Sequence, residues 1–412
     1  MTAAETGAGV GAGPATAPRR PGAGVTGWTT AAIVLVALNL RPAVVGVGPL
    51  LTEIRTDQAL SATAGGILTA LPVLCFGLLA PIAPRMARSI GIERALLGVL
   101  GLLMAGCLVR MIPSVWALFA GTVLIGTAIA SGNVLLPALI KRDFAHRTGL
   151  MTAVYSAALS FGGALGAAVT VPLADAAGFG WRLALGAWTL WAVLGALVWL
   201  PQLRRVARPA VPGTRVRGLA RQAIAWQVTI YMGLQSLGFY AASAWFAAIF
   251  VERGWSPTAA GALVSVVSVV GLIGSFSAPV IATRSRDQRG LSVVVTLLGA
   301  TGIALVLVPG FEVVASIVTG ISFGAALALA LTYVSLRSPD AAHAAQLSGM
   351  SQCVGYMLAA AGPFAVGALH DLTHGWTVPI LVLLALYVPQ GLCGWLAGRD
   401  RELTPTGVEP VA

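Results

Sequence analysis

The amino-acid sequence predicts an all-α integral membrane protein with twelve transmembrane helices in two pseudo-symmetric six-helix bundles. Of its 412 residues, 57% are hydrophobic and only 9% are charged, whereas an average soluble domain carries about 25% charged residues. Apolar stretches recur along the chain at about the 20-residue length that a helix needs to cross a bilayer core roughly 30 Å thick. One basic segment near the middle separates six of these stretches from the other six.

The predicted membrane helices follow from reading the apolar stretches in chain order. The first stretch is too long, and is followed by too many others, to be a cleaved signal peptide. The twelve predicted spans cover about residues 28–51, 62–84, 94–112, 115–139, 148–173, 181–200, 226–250, 257–282, 290–308, 312–336, 344–369 and 375–397.

The segments between and beyond the spans set the predicted domain organisation. The start of the chain is rich in Gly, Ala and Pro and is predicted to be disordered, and the central segment carries six arginines and no acidic residue. Residues 61–68 are similar to 256–263, which weakly supports a duplicated architecture. The predicted parts are a disordered cytoplasmic N-terminus (1–27), an N-terminal six-helix bundle (28–200), a basic cytoplasmic linker (201–225), a C-terminal six-helix bundle (226–397) and a cytoplasmic tail (398–412).

The basic residues predict the orientation of these helices in the membrane. Of the 25 lysines and arginines, 20 fall in segments on the side of the two termini. Four fall on the opposite side and one, Arg41, lies inside a span; the four are Arg55, Arg110, Arg182 and Arg253. This asymmetry is the positive-inside bias, so both termini are predicted to be cytoplasmic. The membrane topology thereby explains the excess of basic over acidic residues, and no nucleic-acid partner is expected.

Several kinds of site are excluded by the residues that the chain contains. The only lysine, Lys141, is followed by Arg142, which rules out a phosphate-binding loop ending in Lys-Ser or Lys-Thr. The four cysteines lie in apolar stretches without Cys-x-x-Cys spacing and are predicted to be small hydrophobic side chains. His370 and His374 lie four residues apart at a span end, but a solvated turn is favoured over a metal site. Neither a metal nor a cofactor is expected.

Two segments of the first half carry a family resemblance. Residues 38–42 read Leu-Asn-Leu-Arg-Pro and residues 48–51 read Gly-Pro-Leu-Leu, and a basic loop at 84–94 follows the second span. With these residues the chain resembles the major facilitator superfamily over nearly its whole length and, more narrowly, the cyanate/2-nitroimidazole transporter family. The resemblance implies a bacterial plasma-membrane (inner-membrane) carrier that works by alternating access between its two bundles.

The loop between spans 2 and 3 is the superfamily's gating loop by the same resemblance. It departs from the usual G-x-x-x-D-R-x-G pattern, because Ala87 stands where Asp is expected and the second glycine comes one residue late. The contact that this Asp makes in the superfamily is therefore not expected. The residues to which the resemblance assigns a gating role are Arg85, Arg88, Gly91 and Arg94.

Arg41 is the most informative residue of the sequence. It lies in the middle of span 1, where a charge costs at least about 2.5–3.5 kcal/mol unless it faces a polar cavity or a partner. Pro42 lacks an N–H and is predicted to kink the helix at the same level. All 14 acidic residues fall in loops, tails or span ends, so no membrane carboxylate is expected to neutralise Arg41. Two interpretations remain open: Arg41 binds an anionic or electron-rich solute, or it is a structural arginine satisfied by carbonyls and hydroxyls.

Other polar residues inside the spans are predicted to line the same cavity. Gln352 and Tyr356 are four residues apart and share a helix face, whereas Asn39 is two residues from Arg41 and faces away from it on an unbroken helix. Interhelical hydrogen bonding is the alternative for each of these residues. Besides Arg41, the predicted substrate-binding residues are Asn39, Asn133, Tyr155, Gln235, Tyr240, Gln352 and Tyr356.

These observations predict a secondary membrane transporter rather than an enzyme. Its expected partners are a small solute, anionic or electron-rich (for example a polar nitro-aromatic), and the lipid bilayer, and it is expected to be a monomer. Since no carboxylate or histidine is predicted inside the membrane, coupling through a protein carboxylate is not expected; facilitated diffusion, anion exchange and a proton carried with the solute stay open. The alternatives are a membrane-embedded enzyme, for which no acid/base pair at one depth is evident, and a channel.

Overall fold

The computed structural model describes residues 23–79, 82–144, 147–178, 180–204, 214–216, 218–404 and 408–410. The first half is built from α1 (Ala23–Asn39), α2 (Pro42–Val45), α3 (Val47–Asp57), α4 (Ala62–Leu79), α5 (Ile82–Ile90), α6 (Ile92–Met111), α7 (Val115–Asp143), α8 (Thr148–Asp175), α9 (Gly180–Gly186) and α10 (Trp188–Trp199). The second half is built from α11 (Ala223–Glu252), α12 (Pro257–Thr283), α13 (Arg289–Leu305), α14 (Glu312–Leu336), α15 (Ala341–Thr373), α16 (Thr377–Ala385) and α17 (Tyr387–Ala397).

The helices agree with the predicted number of membrane spans. Within the described ranges, eleven helical segments are long and apolar enough to cross a membrane. The predicted ninth span forms α13, an apolar helix of 17 residues, which is about 26 Å long at 1.5 Å per residue. Spans 1, 6 and 12 are each broken into shorter helices: α1–α3, α9–α10 and α16–α17.

Local capping fixes where two of the long helices begin. Ser256 precedes α12, accepts a hydrogen bond from the Ala259 N–H (3.2 Å), and is followed by proline at the first helical position. Asp340 precedes α15 and accepts a hydrogen bond from the His343 N–H (2.9 Å). These side chains satisfy N–H groups that have no partner within the first helical turn.

The segments outside the bundles are more structured than the sequence predicts. Helix α1 begins at Ala23, within the segment 1–27 for which disorder is predicted, and residues 1–22 lie outside the described ranges. In the linker, strand β1 (Thr214–Val216) pairs antiparallel with strand β2 (Val408–Pro410) of the tail. Leu403 is buried, and its N–H donates to the carbonyl of Arg337 (2.7 Å). The described part of the tail therefore packs against the second half.

The two halves repeat the same packing arrangement. In the first half, α4 and α6 pack on α7, and α1 packs on α8 and α10; in the second, α12 and α13 pack on α14, and α11 packs on α15 and α17. Between the halves, α4 packs on α15 and α8 packs on α12. In terms of spans, span 2 packs on span 11 and span 5 packs on span 8. Exchanging the two halves turns each of these pairs into the other. The packing thus has the predicted pseudo-symmetry.

The two halves are in close contact at the end of the helical array where α3 turns into α4, which is called the far end here. The opposite end, where α10 leads into the linker, is called the linker end. A Cβ atom on Gly66 of α4 would lie 2.5 Å from the carbonyl oxygen of Pro363 on α15. One on Gly261 of α12 would lie 2.8 Å from the carbonyl oxygen of Ala167 on α8. Glycine at these positions lets the backbones approach closely.

A carboxylate joins the two halves at the far end. Asp371, near the end of α15, accepts hydrogen bonds from the N–H groups of Ala62 (2.9 Å) and Thr63 (2.6 Å) and from the Thr63 hydroxyl (2.6 Å). Ala62 and Thr63 are the first residues of α4, whose N–H groups lack partners within the helix. A side chain of the second half therefore caps a helix of the first half.

Candidate functional site

A cavity with a mainly apolar lining and a few polar groups lies between the two halves, beside the break in span 1. Its volume is about 80 Å³, several times the roughly 10–15 Å³ that one water molecule requires. Helices α8 and α12 touch on its far-end side, where the Ser265 hydroxyl donates to the Ala164 carbonyl (2.9 Å). The lining residues are Arg41, Val45, Leu159, Ser160 and Gly163 of the first half and Gln235, Ser236, Phe239, Tyr240, Val267, Ser268, Gly271, Ser275, Gly320, Phe323, Gly324, Leu327 and Tyr356 of the second.

Arg41 is held at the break between α1 and α2. Pro42 begins α2, and Arg41 precedes it with φ −122° and ψ −39°, outside helical geometry. Gly46, which directly follows α2, lies against α8, because a Cβ atom there would be 2.6 Å from the Thr170 hydroxyl oxygen. A Cβ atom on Gly166 of α8 would likewise be 2.7 Å from the Pro42 Cα. The predicted kink is confirmed, and close packing fixes the segment that carries Arg41.

The Arg41 side chain faces aromatic groups and no carboxylate. Its guanidinium carbon lies 5.7 Å from the centroid of the Phe239 ring, within the range of a cation–π interaction. Tyr155, Tyr240 and Tyr356 are its electrostatic neighbours, and the Tyr240 hydroxyl lies within hydrogen-bonding reach of the guanidinium. Among the residues that the structure describes, Arg41 forms no ion pair, and its buried Nε has no hydrogen-bond partner. Part of the hydrogen-bonding capacity of this guanidinium is therefore unused by the protein.

An aromatic cluster forms the wall around Arg41. Tyr240 and Tyr356 each pack edge-to-face on Phe76, with ring centroids 6.2 and 5.6 Å apart. Phe239 packs in the same way on Tyr240 (5.2 Å) and on Phe323 (5.8 Å). Edge-to-face pairs at these separations are mutually attractive and fix ring orientation. The cavity thus presents one cation on a rigid aromatic surface.

The predicted binding residues divide into three sets. Arg41, Gln235, Tyr240 and Tyr356 line the cavity. Tyr155 lies beside Arg41, and its hydroxyl donates to the Asn133 side-chain oxygen (3.3 Å), so these two residues form a second layer behind the cavity. Asn39 and Gln352 do not line it.

The positions of Asn39 and Gln352 have simple physical causes. The Asn39 amide donates to the Leu35 carbonyl (2.8 Å) and packs against Gly195 of α10, because it faces away from Arg41 as the helix period requires. Gln352 lies one helical turn before Tyr356 and donates to the Ser348 hydroxyl (3.0 Å). Both amides form hydrogen bonds within their own helices, whereas the alternative that the sequence left open was hydrogen bonding between helices.

The sequence did not identify several lining residues. Phe239 directly precedes Tyr240, and the serines and glycines of α8 and α12 are the residue types that ordinarily pack membrane helices together. Ser268 and Ser275 are seven residues apart, two helical turns, and so share one face of α12. This spacing is the only sequence signal for these hydroxyls.

Arg110 lies at the end of span 3 where the sequence places it, but its side chain is buried in the first half. It is only 1% exposed, and it reaches from the last turn of α6 into the first half. One guanidinium nitrogen donates to the Ala43 carbonyl in α2 (2.6 Å), and the other two nitrogens donate to the Thr122 hydroxyl (3.1 and 2.9 Å). The long side chain finds an acceptor in the broken span, which the position of Arg110 at a span end does not reveal.

The predicted gating loop is mostly helical. Arg85 and Arg88 lie on α5 with exposed side chains, and Arg94 is exposed in the first turn of α6. Gly91 connects the two helices with φ +86°, a conformation that favours glycine. The positive φ at this position accounts for a glycine one residue later than in the usual motif. The gating role of the four residues stays a prediction.

Comparison with known proteins identifies relatives over almost the whole chain. The sequence model of the family described as Major Facilitator Superfamily matches residues 28–363. The chain is 42% identical to the uncharacterized transporter YycB of Bacillus subtilis (strain 168), and the match covers 91% of this chain and 94% of the relative. It is 39% identical to the 2-nitroimidazole transporter of Escherichia coli (strain K12), with 90% of this chain and 96% of the relative covered. It is 30% identical to the cyanate transport protein CynX of the same strain, with 86% of this chain and 94% of the relative covered.

Solved structures show the same fold. A bacterial homologue of the human lysosomal transporter Spinster, in an inward-facing and unoccupied conformation, superposes with a TM-score of 0.72. The match covers 92% of this chain and 99% of that one, at 15% sequence identity.

Proposed function

The chain belongs to the major facilitator superfamily and is a secondary membrane transporter, and from this premise we propose that it carries a small anionic or electron-rich polar solute. The solute binds at Arg41, and the two halves expose the cavity alternately to the two sides of the membrane. The observation that supports this proposal is the state of Arg41, a cation in the centre of the membrane domain whose Nε has no partner and which lines a cavity shared by both halves.

The contrast between the two buried arginines favours a ligand at Arg41. A purely structural arginine inside a membrane domain is expected to use its donors on protein acceptors. Arg110 does so, with all three guanidinium nitrogens donating to Ala43 or Thr122. Arg41 has Tyr240 as a hydrogen-bonding neighbour, but its buried Nε has no partner, and it borders the cavity. An anionic or electron-rich solute supplies the missing acceptor.

The size and lining of the cavity fit a small, flat or linear solute. Aromatic rings from α11, α14 and α15 surround the cation, and small hydroxyl side chains supply further donors. Two relatives are named for 2-nitroimidazole and cyanate, which are both small and carry hydrogen-bond acceptors, the nitro oxygens of the first and the anionic group of the second. Among the residues lining the cavity, Arg41 is the only one charged at neutral pH, so a transported proton would have to travel on the solute.

Transport assays in liposomes test the proposal. Purified protein is expected to take up radiolabelled cyanate or 2-nitroimidazole with saturation, and unlabelled solute inside the vesicles is expected to accelerate this uptake. Acceleration from the opposite side distinguishes a carrier from a channel, because a carrier returns faster when loaded. Protein-free liposomes are the control. Absence of both saturation and acceleration for both solutes would contradict the proposed function.

We also propose that the protein is a monomer in the inner membrane of a bacterial cell. Its linker end faces the cytoplasm. The 20-to-4 distribution of basic residues supports this orientation. A cysteine in place of the exposed Arg221 at the linker end is expected to react with a membrane-impermeant thiol reagent only after cell lysis. One in place of the exposed Thr258 at the far end is expected to react in intact cells. The parent chain, with its four native cysteines, is the control, and the reverse pattern would refute the orientation.

A further inference from the structure

We propose that Gly163 sets the upper size limit of the solute that binds at Arg41, an inference that rests on the proposed function. Gly163 lies on α8 in the cavity wall, facing both the broken span and α12. A Cβ atom at this position would lie 3.7 Å from Val45 Cγ2, 3.8 Å from Arg41 Cβ and 3.8 Å from the Ser268 hydroxyl oxygen. These are ordinary van der Waals distances. A methyl group therefore fits here without moving its neighbours, and the space it would take belongs to the cavity.

The neighbouring glycines of α8 have a different role. A Cβ atom on Gly162 would lie 2.6 Å from the Leu38 carbonyl oxygen, and one on Gly166 would lie 2.7 Å from the Pro42 Cα. Glycine at those two positions is required for α1 and α2 to pack on α8. Gly163 is not required for packing, yet glycine inside a helix is less favourable than alanine. The open space beside Arg41 accounts for its presence.

The opposite wall of the cavity is also free of bulky side chains near this point. Ser268 and Gly271 face the cavity from α12, and Gly320 and Gly324 face it from α14. A flat ring can therefore extend from Arg41 across Gly163 toward these residues. A short linear anion occupies only the region next to the guanidinium. Gly163 thus discriminates between ring-sized and linear solutes and does not contribute to charge recognition.

The test compares two probes on the Gly163→Ala protein, 2-nitroimidazole and cyanate. Because one methylene group in a binding pocket changes discrimination by about 10- to 200-fold, we expect 2-nitroimidazole binding to weaken at least tenfold. Cyanate binding and the melting temperature are expected to stay near those of the parent. Ser268→Val approaches the same space from α12 and is expected to have the same effect, so it serves if the first variant fails to fold.

Gly162→Ala is the matched control, one residue away in the same helix. It is expected to lower the melting temperature and to weaken both solutes together, because its methyl group would collide with Leu38. An unchanged ratio of the two affinities in both Gly163→Ala and Ser268→Val would overturn the size-limit inference and leave the proposed function standing. If the parent protein binds neither probe, the proposed function fails and this inference fails with it.

Discussion

Replacement of Arg41 by alanine is expected to abolish saturable transport while leaving the protein folded. The guanidinium lines the cavity and its Nε has no protein partner, so its removal breaks mainly the contacts with Tyr240 and Phe239 and relieves the cost of a buried charge. Arg41→Lys keeps the charge but loses the planar pair of donors that recognises carboxylate-like groups. We expect that variant to bind solute about 1.5–3 kcal/mol more weakly, the value of a hydrogen bond to a charged group.

Solute affinity and melting temperature, measured on the same purified samples, check this expectation. Arg110→Met is the control, because Arg110 is also buried but fully hydrogen-bonded. Its loss leaves the Ala43 carbonyl without its donor, so we expect a lower melting temperature. If Arg41→Ala instead retained solute affinity and lost thermal stability, Arg41 would be a structural residue and the proposed site would be wrong.

Replacement of Asp371 by alanine is expected to favour conformations in which the far end is open. The variant loses three hydrogen bonds that join α15 of the second half to the start of α4 in the first. Hydrogen bonds to a charged acceptor contribute about 1.5–3 kcal/mol each when buried. Asp371 is only partly buried, so we expect a total shift of roughly 1–3 kcal/mol, about 5- to 150-fold in the ratio of closed to open far ends. Transport itself is expected to persist because Asp371 does not line the cavity.

Spin labels on opposite halves at the far end can measure this shift. Labels at the exposed positions Thr52 and Leu372 are expected to give a broader and longer distance distribution in the Asp371→Ala protein. Asp57→Asn is the control: this far-end carboxylate accepts from Trp181 (3.1 Å) and pairs with Arg182 (2.9 Å), both in its own half. Equal changes in the two variants, or none in Asp371→Ala, would show that Asp371 does not hold the halves together.

The fold could be predicted because the bilayer constrains it strongly. Membrane helices must be long, apolar and internally hydrogen-bonded, so their number follows directly from composition along the chain. The position of Arg41 beside a cavity could be predicted for the same reason, since a lone charge in an apolar span must face a cavity or a polar partner. The break at Pro42 followed from the missing N–H of proline.

The remaining parts of the site depend on contacts that no local pattern specifies. Gly162 and Gly163 are adjacent and identical in type, yet one packs against α1 and the other borders the cavity. The burial of the Arg110 side chain was not predicted, because it depends on the carbonyl that α2 presents to it. The buried Leu403 and the pairing of β1 with β2 likewise arise from tertiary contacts with segments distant in sequence.

Because Arg41 is the only charged residue that lines the cavity, we expect the carrier to be sensitive to membrane voltage. The free energy of a unit charge changes by about 2.3 kcal/mol per 100 mV when it crosses the whole membrane potential. When an empty cavity changes the side to which it opens, Arg41 moves relative to the electric field, and no carboxylate among the lining residues offsets that charge. A monovalent anion cancels it, whereas an uncharged solute leaves it in place. Voltage therefore acts on the empty carrier and on the carrier loaded with a neutral solute, and it leaves the anion-loaded form nearly unaffected.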